Sequence, residues 1–230
     1  MLTIVIPAYN EEARIAPTLS GMAKWAGLRK GVRVVVVSDG SDSTASICRS
    51  YARRFKPALK VISFPRRIGK GAAIVEGFRK SRGDVLSFDA DSSLGLSEIS
   101  RMQKLLGTAD IIVASRRSAK SRAVGEIPLY RRGLSLLFNS FVRLLFGLSY
   151  SDTQCGYKLY SSTAVRKLSK FPFSSSGYEW DVEMLVAAGK LGLKVVECPV
   201  MWTYRKGGKA RPLDLLRMVL GLLRLRLRYL

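Results

Sequence analysis

The sequence contains no histidine. That removes the commonest general base at neutral pH and most zinc chemistry, so any metal here must be held by carboxylates. Cysteine is scarce. Cys48, Cys155 and Cys198 lie far apart and in no metal-ligand spacing. An odd, sparse set argues for a reducing, cytoplasmic compartment rather than a disulfide framework. Acids are also short, with 17 Asp+Glu against 39 Lys+Arg and a net charge of +22. Such a surplus calls for anionic partners: phosphorylated substrates, an acidic membrane surface or nucleic acid. No helix-turn-helix, zinc-finger or RNP-type signature is present, so nucleic acid is not expected as a partner. A membrane span wants about 20 mainly apolar residues. Residues 129–148 approach that, but Arg131, Arg132, Asn139 and Arg143 interrupt them. A first strand that begins at Leu2 leaves no room for a signal peptide.

What is present is a core. The chain has 230 residues, 47% of them hydrophobic, which excludes disorder and fits one ordinary domain with a small appendage. Apolar runs at residues 2–6, 32–37, 59–64, 85–88 and 111–115 alternate with amphipathic segments. In the first segment Ile15, Leu19 and Met22 recur at helical spacing. Ser41 or Asp42 can cap the second helix. Five such alternations predict a doubly wound α/β domain with a mostly parallel sheet. Parallel strands bring their C-terminal ends to one edge, where ligands bind.

The polar residues after those strands are therefore candidates for one crevice. Val85 to Asp91 is the organising stretch: a buried strand running into Asp89-Ala90-Asp91. If extended backbone continues through both acids, their side chains leave on one face, where they repel unless a cation sits between them. Mg²⁺ or Mn²⁺ would suit, since hard divalent ions take carboxylate oxygens together with substrate phosphates. A solvated acidic turn is the plainer reading. Gly69-Lys70-Gly71 lacks P-loop spacing, yet a glycine turn before a helix can offer backbone N–H groups to an anion, with Lys70 adding charge. Residues 118–124 are small, basic and polar and read as a mobile loop.

The second half reads differently. Residues 129–148 form an amphipathic or interfacial helix, with Arg131 and Ser135 sharing a face. A short strand and helix follow Lys158. Another helix opens at Tyr178-Glu179-Trp180-Asp181-Val182-Glu183, where the acids can complement the helix dipole. Residues 194–201 read as a late strand, and 205–211 as a basic, glycine-containing loop. Domain organisation is thus an α/β unit over residues 1–211 and an amphipathic helix over 212–230. That tail carries Leu213, Leu216, Leu220, Leu223, Leu227 and Leu230 as one stripe, flanked by Arg217, Arg224, Arg226 and Arg228. An apolar stripe edged by arginines suits a helix peripherally associated with a membrane surface. It would equally serve docking onto the domain or onto a second copy in a homo-oligomer.

Pro7-Ala8-Tyr9-Asn10-Glu11, Ser38-Asp39-Gly40-Ser41, Gly69-Lys70-Gly71, Asp89-Ala90-Asp91 and Asp152-Thr153-Gln154-Cys155-Gly156-Tyr157-Lys158 occur in this order. Together they resemble glycosyltransferase family 2, in its polyprenyl-phosphate branch of dolichyl-phosphate glucosyltransferases and dolichol-phosphate mannose synthases. The resemblance covers residue 3 to about 211. The string at 152–158 and Trp180-Asp181-Val182-Glu183 look more like the glucosyl members. The resemblance implies a GT-A fold and inverting, metal-dependent transfer of a hexose to polyprenyl or dolichyl phosphate. The donor would be UDP-glucose, or GDP-mannose in the alternative. It implies nucleotide-sugar contacts at Pro7, Ala8, Tyr9, Glu11, Val37, Asp39, Lys70, Asp89, Ala90 and Asp91, with Arg205 and Arg211 in a basic loop over the donor phosphates. Asp89 and Asp91 would hold Mg²⁺ or Mn²⁺. Arg117 and Arg131, with Ser135, match positions for the acceptor phosphate, and Arg116 could substitute. Asp152, Gln154 and Asp181 would line the sugar pocket, and Asp91, Asp181, Arg117 and Arg131 would carry the chemistry. Three departures are Ser38 where many members have aspartate, Ser93 where mannose synthases often have glutamine, and Arg67 for a frequent asparagine. Rival readings are a family 2 transferase with a soluble acceptor, a nucleotidyltransferase, or a non-enzymatic basic module that binds nucleic acid or membrane.

Overall fold

The structure, a computed structural model, describes residues 1–27, 29–52, 59–175, 177–204 and 212–229. Strands β1 (Leu2–Ala8), β2 (Val32–Ser38), β3 (Leu59–Ser63), β4 (Asp84–Ser87) and β5 (Ile111–Ser115) alternate with helices α1 (Glu12–Gly27), α2 (Thr44–Ala52), α3 (Lys70–Arg79) and α4 (Leu96–Leu105). After them come β6 (Arg122–Val124), α5 (Leu129–Phe146), β7 (Lys158–Tyr160), α6 (Ser162–Leu168), α7 (Trp180–Lys190), β8 (Val195–Pro199), β9 (Met201–Thr203) and α8 (Pro212–Tyr229).

The main sheet has seven strands in the order β3-β2-β1-β4-β7-β5-β8. Its pairs are parallel except where β7 runs antiparallel between β4 and β5. Near-continuous apolar composition in β1, β2 and β5 is what burial on both faces demands. Ile4, Val5, Ile6, Val34, Val36 and Ile112 are fully enclosed, as are Ile15, Leu19 and Met22 of α1. The mostly parallel α/β architecture read from the alternation is therefore present, with helices flanking the sheet.

Because β7 is reversed, its first residue lies at the cleft edge. Lys158 stands opposite Ser87, the last residue of β4, and opposite Val113 of β5. The string 152–158 thus enters the sheet at the same edge that the parallel strands leave.

Two local expectations change. Residues 122–124, read as part of a mobile loop, form β6 and pair in parallel with β9. Strand β4 ends at Ser87, short of the acidic triplet; Ala90 and Asp91 lie in a turn and Ser92 adopts a left-handed φ of 51°.

Helices α5 and α8 share a second, smaller core built on Val142, Val182, Leu222 and Leu225. The tail helix therefore has two apolar ridges. Leu222 and Leu225 dock inward, while Leu216, Leu220, Leu223 and Leu227 of the leucine stripe remain exposed. On α5, Leu129, Leu137 and Leu144 are at least 70% exposed. Among the described residues no helix is long and apolar enough to cross a membrane.

Candidate active site

A cavity of about 240 Å³ opens at the C-terminal edge of the sheet, between the loops that follow β1, β2 and β4. Pro7, Ala8, Tyr9, Glu11, Asp39, Lys70, Asp89 and Asp91 line it. These residues converge from stretches up to about eighty positions apart, as strand ends of one parallel edge must. Val37 and Ala90 are buried beside it and line no part of it. Arg205 and Arg211 lie outside the described residues.

Each loop is held by specific bonds. Asn10, at a left-handed φ of 52°, accepts the Ser41 amide at 3.0 Å and so stitches the β1 loop to the β2 loop. Gly40 must be glycine there, since a Cβ would sit 2.2 Å from the Asn10 Oδ1. Asp42 caps α2 by accepting the Thr44 amide at 3.0 Å. Asp39 accepts the amides of Ile68 and Gly69 at 3.0 and 2.8 Å. Those two N–H groups of the glycine turn therefore serve an internal carboxylate, where the sequence suggested a bound anion. Gly69 holds φ 89°, which favours glycine, and Gly71 leaves room for the Trp180 ring, only 2.3 Å from where a Cβ would be.

Asp91 receives the Ser93 amide at 3.0 Å and the Tyr157 hydroxyl at 3.3 Å on one oxygen. Asp89 lies 3.4 Å from the Lys70 ammonium. Gly156 makes this possible: a Cβ there would stand 2.4 and 2.6 Å from the two Asp89 oxygens. Lys70 also donates to Asp181 at 3.1 Å, and Asp181 accepts from Lys158 on its other oxygen. Burial would lower the Lys70 pKa, but Asp181 and Asp89 outweigh it and hold the ammonium charged, well above its ordinary range. Asp181 is raised by burial and lowered more by Lys158 and Lys70, so it stays ionised. Only 2% exposed, it anchors two lysines and does not face the cavity.

Among the described residues no three His, Cys, Asp or Glu side chains cluster as a metal site. The protein could thus offer a divalent cation the hard oxygens of Asp89 and Asp91, with substrate phosphates completing the shell. That donor set fits Mg²⁺ or Mn²⁺.

A basic patch adjoins the cleft. Arg116 pairs with Asp152 through Nε and Nη2 at 2.7 and 3.0 Å, and its own amide reaches the same carboxylate. Burial would raise Asp152, but Arg116 more than offsets this and holds it at about 2. Arg116 is thus committed to Asp152, and Asp152 to Arg116. Arg117 donates to the Ser135 carbonyl and hydroxyl at 2.7 and 2.5 Å. Burial lowers its pKa, partly opposed by Asp152. Arg131, one turn before Ser135 on α5, reaches the Tyr204 hydroxyl at 3.1 Å. Asn139, an interruption in the apolar run, accepts the Thr153 amide and hydroxyl and so ties α5 to the 152–158 string. The Gln154 Nε2 is buried without a hydrogen-bond partner among the described residues.

Sequence reasoning missed several residues. Arg67, noted only as a departure, lines the cavity with its guanidinium 4.3 Å from the Tyr9 ring centroid. Arg14 and Gly177 also line it, and no motif marked them; Tyr178, read only as the opening of a helix, lines it too. Glu197 of β8 accepts the amides of Ser151 and Asp152 and so positions the Arg116 partner.

The sheet order and the cleft at its parallel edge define a GT-A-type glycosyltransferase fold. Crystal structures of glucosyl-3-phosphoglycerate synthase from Mycobacterium tuberculosis match 98% of this chain and 79% of theirs, with a TM-score of 0.68 and 20% identity. One was solved with Mn²⁺, uridine diphosphate and glucosyl-3-phosphoglycerate. The pattern of glycosyl transferase family 2 matches residues 3–169. The dolichyl-phosphate beta-glucosyltransferase of Saccharomyces cerevisiae is 32% identical over all of this chain and 75% of its own length. That of Homo sapiens is 30% identical over all of this chain and 76% of its own. This chain belongs to glycosyl transferase family 2 and is a glycosyltransferase.

Proposed function

We propose that the enzyme moves glucose from UDP-glucose to dolichyl phosphate or a related polyprenyl phosphate, with inversion, at the cytoplasmic face of a membrane. The observation that carries this reading is the convergence of Tyr9, Asp39, Lys70, Asp89 and Asp91 on one cavity at the parallel strand ends. The names of the relatives support glucosyl transfer to a dolichyl phosphate. Exposed leucines on α5 and α8, set among arginines, support residence at an anionic lipid surface.

The chemistry asks little of a base. A phosphate oxygen of the acceptor is already anionic near neutral pH, so a chain without histidine can use it directly. That oxygen attacks the anomeric carbon from the face opposite the nucleotide. The bond from that carbon to the diphosphate breaks, and the nucleoside diphosphate leaves with the electron pair. Asp181, sealed between two lysines, is not required to take a proton. Tyr9, Asp39 and Arg67 would hold the nucleoside, and Lys70 the diphosphate. When bound, a divalent cation held by Asp89 and Asp91 would neutralise the leaving diphosphate. Arg117, Arg131 and Ser135 would receive the acceptor phosphate, for which forked guanidinium donors are suited. Holding both reactants in line supplies proximity worth about 7–11 kcal/mol in favourable cases.

The test is Asp91→Ala. Transfer of radiolabelled glucose from UDP-glucose to a polyprenyl phosphate should fall roughly a hundredfold or more while the far-UV spectrum stays folded. GDP-mannose should serve poorly in the same assay. Near-normal metal-dependent activity in the variant would overturn the assignment.

A further inference from the structure

Lys158 is fully buried at the start of β7. Its ammonium donates to the Cys155 carbonyl at 2.5 Å and to one oxygen of Asp181. A buried lysine is rare unless paired, and a buried ion pair is weak support for stability by itself. This pair does not end in the core. The other Asp181 oxygen accepts Lys70, and Lys70 stands 3.4 Å from Asp89 at the cavity wall. Lys158, Asp181, Lys70 and Asp89 come from β7, α7, α3 and the β4 loop, and their charges alternate. Gly156 keeps the junction open, since a Cβ would lie 2.7 Å from the Lys70 ammonium as well as against Asp89.

We propose that Lys158 and Asp181 are a positioning pair that holds the Lys70 ammonium against Asp89, so that a divalent cation enters with the donor's diphosphate rather than ahead of it. The proposal rests on the metal–diphosphate reading of this cleft. Before the donor binds, Asp89 is already balanced by an internal cation, and a divalent ion alone meets that positive charge. The arriving diphosphate offers Lys70 a second anion. Lys70 then shifts from Asp89 toward the phosphates, and Asp89 becomes free for the incoming ion. Lys158 keeps Asp181 from drawing Lys70 away in the meantime, because it supplies that acid with a cation of its own.

The experiment measures Mn²⁺ binding by electron paramagnetic resonance for wild type, Lys70→Met, Lys158→Met and Asp89→Asn, with and without UDP. In wild type, Mn²⁺ alone should bind weakly, and UDP should tighten it by tenfold or so. Lys70→Met should bind Mn²⁺ without UDP roughly tenfold more tightly than wild type, since one positive charge next to the acid is gone. Lys158→Met should move the same way but less, because Lys70 is then drawn to Asp181. A merely structural lysine would not raise metal affinity. Unchanged donor-free Mn²⁺ affinity in Lys70→Met overturns the proposal, whether or not Lys158→Met folds. If Asp89→Asn binds Mn²⁺ with UDP as wild type does, the metal assignment itself falls. If Asp89→Asn abolishes binding while the lysine variants leave it unchanged, only the positioning role falls.

Discussion

Replacing Asp152 by asparagine tests the basic patch most directly. Asp152 is 1% exposed and accepts two guanidinium bonds and the Arg116 amide on its carboxylate. Its pKa lies at about 2 against an ordinary 3.8. A depression of that size favours the charged form by roughly 2–3 kcal/mol at neutral pH. Removing one partner of a buried pair can cost about 3–5 kcal/mol, but a third of the Arg116 side chain is exposed, which lowers the figure. The expected loss is about 2–4 kcal/mol, or roughly 5–15 °C in Tm for a chain of this size. Urea unfolding at pH 7 measures it, and Arg116→Met closes a double-mutant cycle with a coupling of about 1–3 kcal/mol. The sign with pH follows from the depressed pKa. The contribution is complete above about 4 and is lost as pH falls toward about 2. The gap between wild type and Asp152→Asn should therefore narrow on acidification through that window. A gap under about 0.5 kcal/mol at pH 7, or one that does not narrow in acid, would refute the reasoning.

Three further outcomes are expected. Arg131→Ala should raise the KM for the lipid acceptor roughly tenfold and the KM for the donor little, as the loss of one charged hydrogen-bond donor to a phosphate predicts; steady-state assays varying each substrate separate the two. Leu220→Asp combined with Leu227→Asp, both on the exposed ridge of α8, should weaken sedimentation with anionic vesicles about tenfold or more while leaving the far-UV spectrum unchanged. Gly71→Ala should destabilise the fold by about 1–3 kcal/mol, because the added carbon falls within 2.3–2.8 Å of Trp180, and Trp fluorescence during unfolding would report it.

The first half of the chain was legible because its signals are local. Apolar runs such as residues 32–37 become strands, and polar residues just after them reach the cleft by topology alone. Asp39, Asp89 and Asp91 are legible in this way, and Lys70 through the glycine turn that opens α3. The pairings were not legible, because they are set by close approach in three dimensions. Asp181 looked like a helix-dipole acid or a sugar ligand; its two lysine partners lie 23 and 111 positions away. Arg116 looked like a spare acceptor ligand until Asp152 came beside it. Strand β7 runs backwards, so the string at 152–157 reaches the cleft edge by preceding its strand, where the loops after β1, β2 and β4 follow theirs. The tail gave its leucine stripe plainly. The second ridge at Leu222 and Leu225 was lost in a helix whose leucines lie on more than one side, so the pattern did not tell inward from outward.

Gly156 has a use outside this molecule. Its missing side chain is the space that the Asp89 oxygens occupy. In any sequence that aligns here, a larger residue at this position signals that the acid has been re-aimed or abandoned. One column of an alignment could therefore show which copies keep the acid in this place before any is expressed.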